Sequence, residues 1–463
     1  MEQTDQNMSS RIDLDGELLD NLEALVEAGE EGMVLNIARD LHPADLADVL
    51  MHMDDDLAST LFHWLPDEDA GEVLAELDDD YRADLLEDTP HERIASMLDE
   101  LDTDDAVDVL ADLPQHLADQ VIPGLEYAAD VQELLGYDEE TAGGRMATEL
   151  VFVHETATVD EATEEVRLNA ENVEFVYAIF VVDDNERLVG FVSLKRLLLS
   201  PAHVRIRDIM NEDVISVNTS VDQEDVARLM ERYDLVSLPV VDHDGRLVGR
   251  ITIDDIVDVI REEAEEDMQR MSGLGVGEEP TDSVLRIVRG RLPWLLTGML
   301  GSAFAATVIL YFESALVEAT VLASFIPIVM ATAGNAGIQS SSVAVQGLAS
   351  GNVWASDFSS RIMKEMGVAL LNGLAASVVL ALAVLILSYI TPIDGARVVR
   401  LAMTAGLALL IVVTIATTIG ASVPLLLDRF DVDPALATGP FITASNDILG
   451  ILIFFLLATW LYL

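Results

Sequence analysis

Apolar residues along this chain follow three rhythms, and each predicts a different kind of structure. In residues 41–114 they recur three or four apart within short segments: "LHPADLADVL", "LPDEDAGEVLAELD", "TPHERIASMLDELD" and "TDDAVDVLADLP". That period puts them on one face of a helix. The segments open on Pro or Asp, which suit a first helical turn whose N–H groups lack intrahelical partners. Pro43, Pro66, Pro90 and Pro114 fall 23 or 24 residues apart. Paired short helices, stacked as a small solenoid, are therefore predicted.

The second rhythm is that of strands. Residues 182–198, "VDDNERLVGFVSLKRLL", align without gaps on 241–257, "VDHDGRLVGRITIDDIV", at an offset of 59. Each copy has a strand ("AIFVVD" or "SLPVVD"), a turn at Asn185-Glu186 or Asp244-Gly245, a second strand and a helix. Helical segments "VDEATEEVRLNA" and "SVDQEDVARLMERY" precede the strands. A tandem α/β repeat of about 60 residues is expected. An acidic helix, "DDIVDVIREEAEEDMQRM", should follow Ile253 and break at "SGLGVGEEP". The glycines there superficially match a dinucleotide loop. With no strand before them, they read as a flexible joint.

The third rhythm is unbroken hydrophobicity. Spans near 292–312, 319–345, 366–390, 401–427 and 440–462 are each long enough to cross a bilayer. The expected architecture is thus multidomain. It comprises an all-α helical-repeat domain (1–140), a tandem α/β domain (141–253), a connecting helix and joint (254–290), and an all-α polytopic domain of five spans (291–463). Arg286, Arg289, Arg291, Arg361 and Lys364 flank the spans on one side, which positive-inside logic makes cytoplasmic. Five spans then put the C-terminus outside. Arg397 and Arg400 oppose that bias.

Charge sharpens the division. The first 290 residues hold 74 of the 83 acidic residues and 19 of the 25 Lys and Arg, a net of −55. Such a surface excludes nucleic acid, whose phosphates need basic side chains. Two readings of the acidity stand: cation binding, and the high surface charge of a salt-loving host, which the scarcity of Lys (Lys195 and Lys364) favours. The N-terminal 20 residues are polar and do not read as a signal peptide. There are no cysteines, and all eight His precede Arg291. Any cation handled by the spans must therefore be bound through oxygen. No ATPase motif is present, and "HERIA" has Ala95 where a zinc protease needs its second His. No enzymatic activity is expected.

Oxygen ligands are available. Asp447, beside Ser445 and Asn446, lies inside the last span. Ionisable residues there usually face a pore or a partner. The alternative is a carboxylate near a span end, reaching the headgroups or held neutral. The second span offers Asn335, Gln339, Ser340, Ser341 and Ser342, with Pro327, Gly334 and Gly337 to loosen the helix and allow close approach. It could line a wet cavity or pack through small residues. Hard oxygen with little formal charge suits Mg2+, which keeps most of its water.

These residues resemble a known family. "FIPIVMATAGNAGIQSSSVAVQGLA", "KEMGVALLNGL" and "DVDPALATGPFITASNDILG" are similar to signatures of the MgtE family of Mg2+ channels and transporters, as is the domain order, with the tandem repeat as paired CBS domains. One departure is Ala333-Gly334-Asn335, where the family commonly has two glycines. The resemblance implies a homodimer in membrane lipid, with Asp447 holding a hydrated Mg2+ on the dimer axis. It implies that Asn335, Gly337 and Asn446 line the pore, with Glu313 near its outer side and Asp433 near its cytoplasmic mouth. It also places Asp255, Asp258, Glu263, Glu266 and Asp267 at positions that bind regulatory Mg2+. On a helix Asp255, Asp258, Glu262 and Glu266 share one face. Unneutralised, they repel, and Mg2+ binding to a closed state would shift the population towards closure. A solvated acidic face is the competing reading.

CBS pairs raise nucleotide binding. Gly249-Arg250-Ile251-Thr252-Ile253-Asp254-Asp255 fits the pattern G-h-x-[ST]-x-x-D at its ends, with Arg250 at the apolar position. The first copy has Ser193 but Arg196 in place of the Asp. Thr252, Asp255 and Ser193 are the candidates, and the resemblance implies ATP as the adenine nucleotide. The expected function is a Mg2+-gated Mg2+ uptake channel. A CBS-regulated carrier of Co2+, Mn2+ or Ni2+ is the alternative.

Overall fold

The computed structural model describes residues 16–463 except 88, 170–172, 174, 276, 279–282, 351–357, 388–394, 431 and 438. It divides into two compact units, Met1–Val259 and Ile260–Leu463.

Ten short helices open the first unit among its described residues. They are α1 (Gly16–Glu27), α2 (Glu31–Ala38), α3 (Pro43–His52), α4 (Asp55–Trp64), α5 (Asp67–Ala75), α6 (Asp79–Glu87), α7 (His91–Leu98), α8 (Thr103–Asp112), α9 (Gln115–Val121) and α10 (Ala128–Leu134). The periodic prolines sit at helix starts. Pro43 opens α3, and Pro66, Pro90 and Pro114 immediately precede α5, α7 and α9. Arginines tie successive layers. Arg93 donates to Asp67 (3.0 Å) and to the carbonyls of His63 (3.1 Å) and Leu65 (2.8 Å), which end α4. The carbonyls of a helix's last turn lack intrahelical donors, and the guanidinium supplies them.

Among its described residues the α/β part contains two three-stranded sheets. In the first, β1 (Phe152–His154) runs parallel to β2 (Ala178–Val182), which pairs antiparallel with β3 (Leu188–Ser193). The second repeats this with β4 (Val217–Asn218), β5 (Ser237–Val241) and β6 (Leu247–Thr252). Helices α11 (Val159–Leu168), α12 (Leu194–Leu199) and α13 (Gln223–Tyr233) pack on them. The two hairpin turns meet reciprocally: Leu188 N donates to Gly245 O and Leu247 N to Glu186 O, each at 3.1 Å. The offset of 59 thus appears in space as a pseudo-two-fold pair.

Helix α14 (Ile253–Ser272) crosses the boundary between the units. It ends at Gly273, whose φ of +73° suits glycine. The joint read as flexible is pinned among its described residues: Gln269 Nε2 donates to Glu278 O at 3.2 Å, and Arg291 pairs with Glu278.

The second unit continues with α15 (Val284–Tyr311), α16 (Glu313–Glu318), α17 (Ile326–Ala349), α18 (Phe358–Leu387), α19 (Gly395–Asp428) and α20 (Gly439–Leu461). Among the described residues, five helical stretches are long and apolar enough to cross a membrane. Two begin well before the predicted starts, α15 at Val284 and α18 at Phe358. Charged side chains had marked the span edges in the sequence, yet the helices run on through Arg289, Arg291, Arg361, Lys364 and Glu365. Pro327 lies in the first turn of α17, and Gly334 and Gly337 leave that helix unbroken. The core of this unit is Val329, Ala333, Leu409, Val412, Val413, Ala416, Phe454 and Phe455.

Candidate functional site

Asp447 stands about two turns into α20 and is half-buried. Among the described residues no ion pair or hydrogen bond engages its carboxylate. Its neighbour Asn446 is 2% exposed, and its amide nitrogen has no hydrogen-bond partner among the described residues. Asn446 points at Gly337 on α17. Successive helical residues are turned about 100° apart, so Asp447 does not share that packing face.

Helix α17 has two working faces. Gly337 packs on α20 and on α19, where Gly420 meets its carbonyl oxygen. The other face, with Thr332, Asn335, Gln339 and Ser340, lines a half-open cavity of about 450 Å3 whose remaining walls are α18 and α19. Asn335 therefore opens into this cavity, whereas Gly337 and Asn446 meet in the helix contact. Glu365, Asn372 and Thr417 complete the polar lining. Ser340 Oγ donates to Glu365 Oε2 at 3.0 Å, and Arg361 Nε is 4.0 Å from Oε1. Sequence reasoning missed Glu365 as a site residue because it set the third span to begin at residue 366. The available signal was a carboxylate one residue before an apolar run, in a helix that had room to start earlier.

Glu313 is exposed at the start of α16. Asp433 is half-buried between α19 and α20, where Oδ1 accepts from Ala435 N at 2.7 Å. It also pairs with Arg270 of α14, which pairs in turn with Glu266. The boundary between the units leaves Asp255 and Asp258 in the first and Glu263, Glu266 and Asp267 in the second. Asp258 is exposed; Glu263, Glu266 and Asp267 are partly covered.

The first unit contains a second concentration of carboxylates, which the sequence reading did not single out. Asp104 and Asp105 open α8, and burial pushes both up, with the Asp255 charge adding to it; Asp105 reaches about 7. Burial also raises Asp255, against two bonds from Thr252. The segment entering the α/β part is fixed to α8 here. Glu149 accepts from Thr103 N (3.1 Å) and Oγ1 (2.9 Å), and Thr148 N donates to Thr103 Oγ1 at 2.9 Å. Arg250, 4% exposed, donates to the Phe175 carbonyl at 2.7 Å and lies 3.7 Å from Asp102. Its place in the apolar slot of the nucleotide motif thus serves two neighbouring elements. Among the described residues no three carboxylate or imidazole groups converge closely enough to hold one metal ion directly.

The nucleotide candidates are helix caps. Thr252 N (3.1 Å) and Oγ1 (2.7 Å) donate to Asp255 at the start of α14, and Ser193 Oγ accepts from Arg196 N (3.3 Å) at the start of α12. Capping and ligand binding are compatible, since each oxygen has a further lone pair.

A domain with five apolar helices among its described residues, each long enough to cross a membrane, joined to paired α/β repeats and a helical solenoid, defines a membrane transport protein. Family models agree segment by segment: the MgtE divalent cation transporter model matches residues 326–457, the MgtE intracellular N domain 41–140, and the CBS domain 142–202 and 206–262. The chain belongs to the MgtE family, whose members are transporters and not enzymes. It is 38% identical over 334 residues to the magnesium transporter MgtE of Enterococcus faecalis, covering 72% of each chain. It is 38% identical over 344 residues to that of Thermus thermophilus, covering 73% of this chain and 74% of the other. Among solved structures, the soluble part of a magnesium transporter matches with a TM-score of 0.50 and 33% identity, covering 54% of this chain and 99% of that one. The cytosolic domain of the Mg2+ channel MgtE in complex with ATP matches with a TM-score of 0.50 and 35% identity, covering 52% and 99%.

Proposed function

We propose that this protein carries Mg2+ across the cell membrane, with Asp447 as the carboxylate that accepts the hydrated ion. The observation that carries the reading is the unpaired, half-buried Asp447 in an apolar helix of a chain whose relatives are magnesium transporters. Two copies related by a two-fold axis would bring two Asp447 carboxylates to one divalent ion and match its charge. The domains are those read from the sequence, 1–140, 141–253, 254–290 and 291–463. The first three lie in the cytoplasm, and the C-terminus lies outside.

Cytosolic Mg2+ closes the pathway by binding between the acidic solenoid, the CBS pair and α14. The Asp104, Asp105 and Asp255 group supports this: burial raises all three, the Asp255 charge adds to the rise at Asp104 and Asp105, and a divalent cation would offset both costs of keeping them ionised. Such an ion would keep its water and bridge carboxylates through it. ATP would be held at Thr252, Asp255 and Ser193, whose oxygens suit ribose hydroxyls, and would tune the response.

Mg2+ flux into vesicles reconstituted with the full chain tests both levels, comparing the native protein with Asp447→Ala while internal Mg2+ is varied. Loss of flux in the variant is expected, as is inhibition of the native protein by internal Mg2+. Undiminished flux through Asp447→Ala removes the ion assignment. Native flux indifferent to internal Mg2+ removes the gating.

A further inference from the structure

We propose that the cavity between α17, α18 and α19 is a second cation station, anchored by Glu365 and separate from Asp447. The proposal deepens the reading of the chain as a Mg2+ pathway and rests on it. At roughly 30 Å3 of liquid volume per water, a cavity of about 450 Å3 admits an ion with its full first shell. The lining is of the kind a hydrated cation requires. Glu365 supplies negative charge, and Asn335, Gln339 and Asn372 supply amide oxygens. Glu365 stands about two turns into α18 with its side chain only 13% exposed, and a carboxylate so covered is costly unless a cation or donors meet it. The donors present are few. Ser340 occupies one Glu365 oxygen, and Arg361 reaches the other only at 4.0 Å, beyond hydrogen-bond distance. That carboxylate keeps acceptor capacity towards the cavity, and Arg361 opposes any cation that enters.

None of the lining comes from α20, so this station does not contain Asp447. Both faces of α17 are then used: the cavity face meets an ion through Asn335 and Gln339, while the Gly337 face holds the helix that carries Asp447.

The chain has no cysteine of its own, so Asn372→Cys and Gln339→Cys each place a lone thiol in the cavity. With the full-length protein in vesicles, a positively charged methanethiosulfonate should label either thiol several-fold faster than a negatively charged one. Millimolar Mg2+ should slow that labelling. Glu365→Gln keeps an acceptor for Ser340 but removes the charge, and should abolish both effects; Glu365→Asp should restore them, and Arg361→Gln should lower the Mg2+ needed for protection. Equal rates for the two reagents, protection that survives Glu365→Gln, or two thiols inert to both reagents would overturn the proposal. Adding Asp447→Ala separates the two readings. Protection that persists while flux is lost supports both. Protection lost with Asp447→Ala overturns the separate station. Protection that persists with undiminished flux keeps the station and overturns the Asp447 pathway.

Discussion

Gly337 lies against Asn446, so that a Cβ at position 337 would press on the Asn446 amide and stand 2.8 Å from an Ile442 methyl group. This contact joins α17 to the helix that carries Asp447. A side-chain amide can give way, but the next contact cannot. A Cβ at Gly420 would run into the Gly337 carbonyl, with its carbon only 3.0 Å away. Gly420→Ala must therefore separate α19 from α17. The expected cost is about 1–3 kcal/mol, as for overpacking elsewhere, with a lower Tm in detergent and reduced flux. Gly337→Ala should cost less. Gly334, whose Cβ would meet nothing within 4 Å, should tolerate Ala. A Gly334→Ala variant as damaged as Gly420→Ala would refute this account of the packing.

The paired hairpin turns differ in one residue that matters. Gly245 has φ +80°, and its equivalent Glu186 has φ +62°. A left-handed conformation costs a side-chain-bearing residue about 1–2 kcal/mol that glycine avoids. Glu186 is exposed, so removing its side chain forfeits little. Glu186→Gly should stabilise the first unit by about 1 kcal/mol, net of glycine's greater freedom when unfolded. Calorimetry of the full-length protein would show the first transition raised; an unchanged or lower midpoint would count against it.

Burial raises both Asp105 and Asp112 to about 7. These groups hold protons more tightly folded than unfolded. Their contribution is therefore most favourable below the ordinary carboxylate range, near pH 4, and is lost as pH climbs through about 7. In chelator, the first unit should lose stability across that window. Asp112→Asn and Asp105→Asn should each flatten the loss. Mg2+ should flatten it too if it replaces the protons near Asp105. Amide exchange along α8 from pH 5 to 8 measures this directly, and protection that rises with pH would reverse the argument.

How much of this was legible in the sequence depends on whether a signal was local. The proline period, the offset of 59 and the apolar runs are local, and the solenoid, paired sheets and membrane helices follow from them. Gly334 and Gly337 show the limit. Both read alike as small residues permitting close approach, and both are buried, yet only at Gly337 would an added Cβ strike another helix. Which face of α17 turns to α20 is decided by three-helix packing, and no spacing within α17 encodes it. The same holds for Asn335, which lines one cavity with Glu365, and for Asp104 and Asp105. Those two read as ordinary first-turn acids, and become unusual only when Asp255, about 150 residues on, is folded beside them.

Arg270 shows how a cation can already be built into a candidate metal position. Its guanidinium pairs with Glu266 one turn earlier on α14 and with Asp433 between α19 and α20. Both carboxylates are candidates for Mg2+, and here a fixed positive charge offsets one of their two negative charges. With Arg270→Gln, two carboxylates are left without that countercharge and should recruit a divalent ion more readily. The groups are partly exposed, so the effect belongs to the lower range of ion-pair energies, about 1 kcal/mol, or roughly five-fold in concentration. Internal Mg2+ should therefore inhibit flux through Arg270→Gln at about one-fifth of the native concentration. Arg270→Lys, which keeps the charge but not the fork, should fall between. If Arg270→Gln needs more internal Mg2+ for closure, the ion pair itself holds the closed arrangement and Arg270 is not a competitor of the metal.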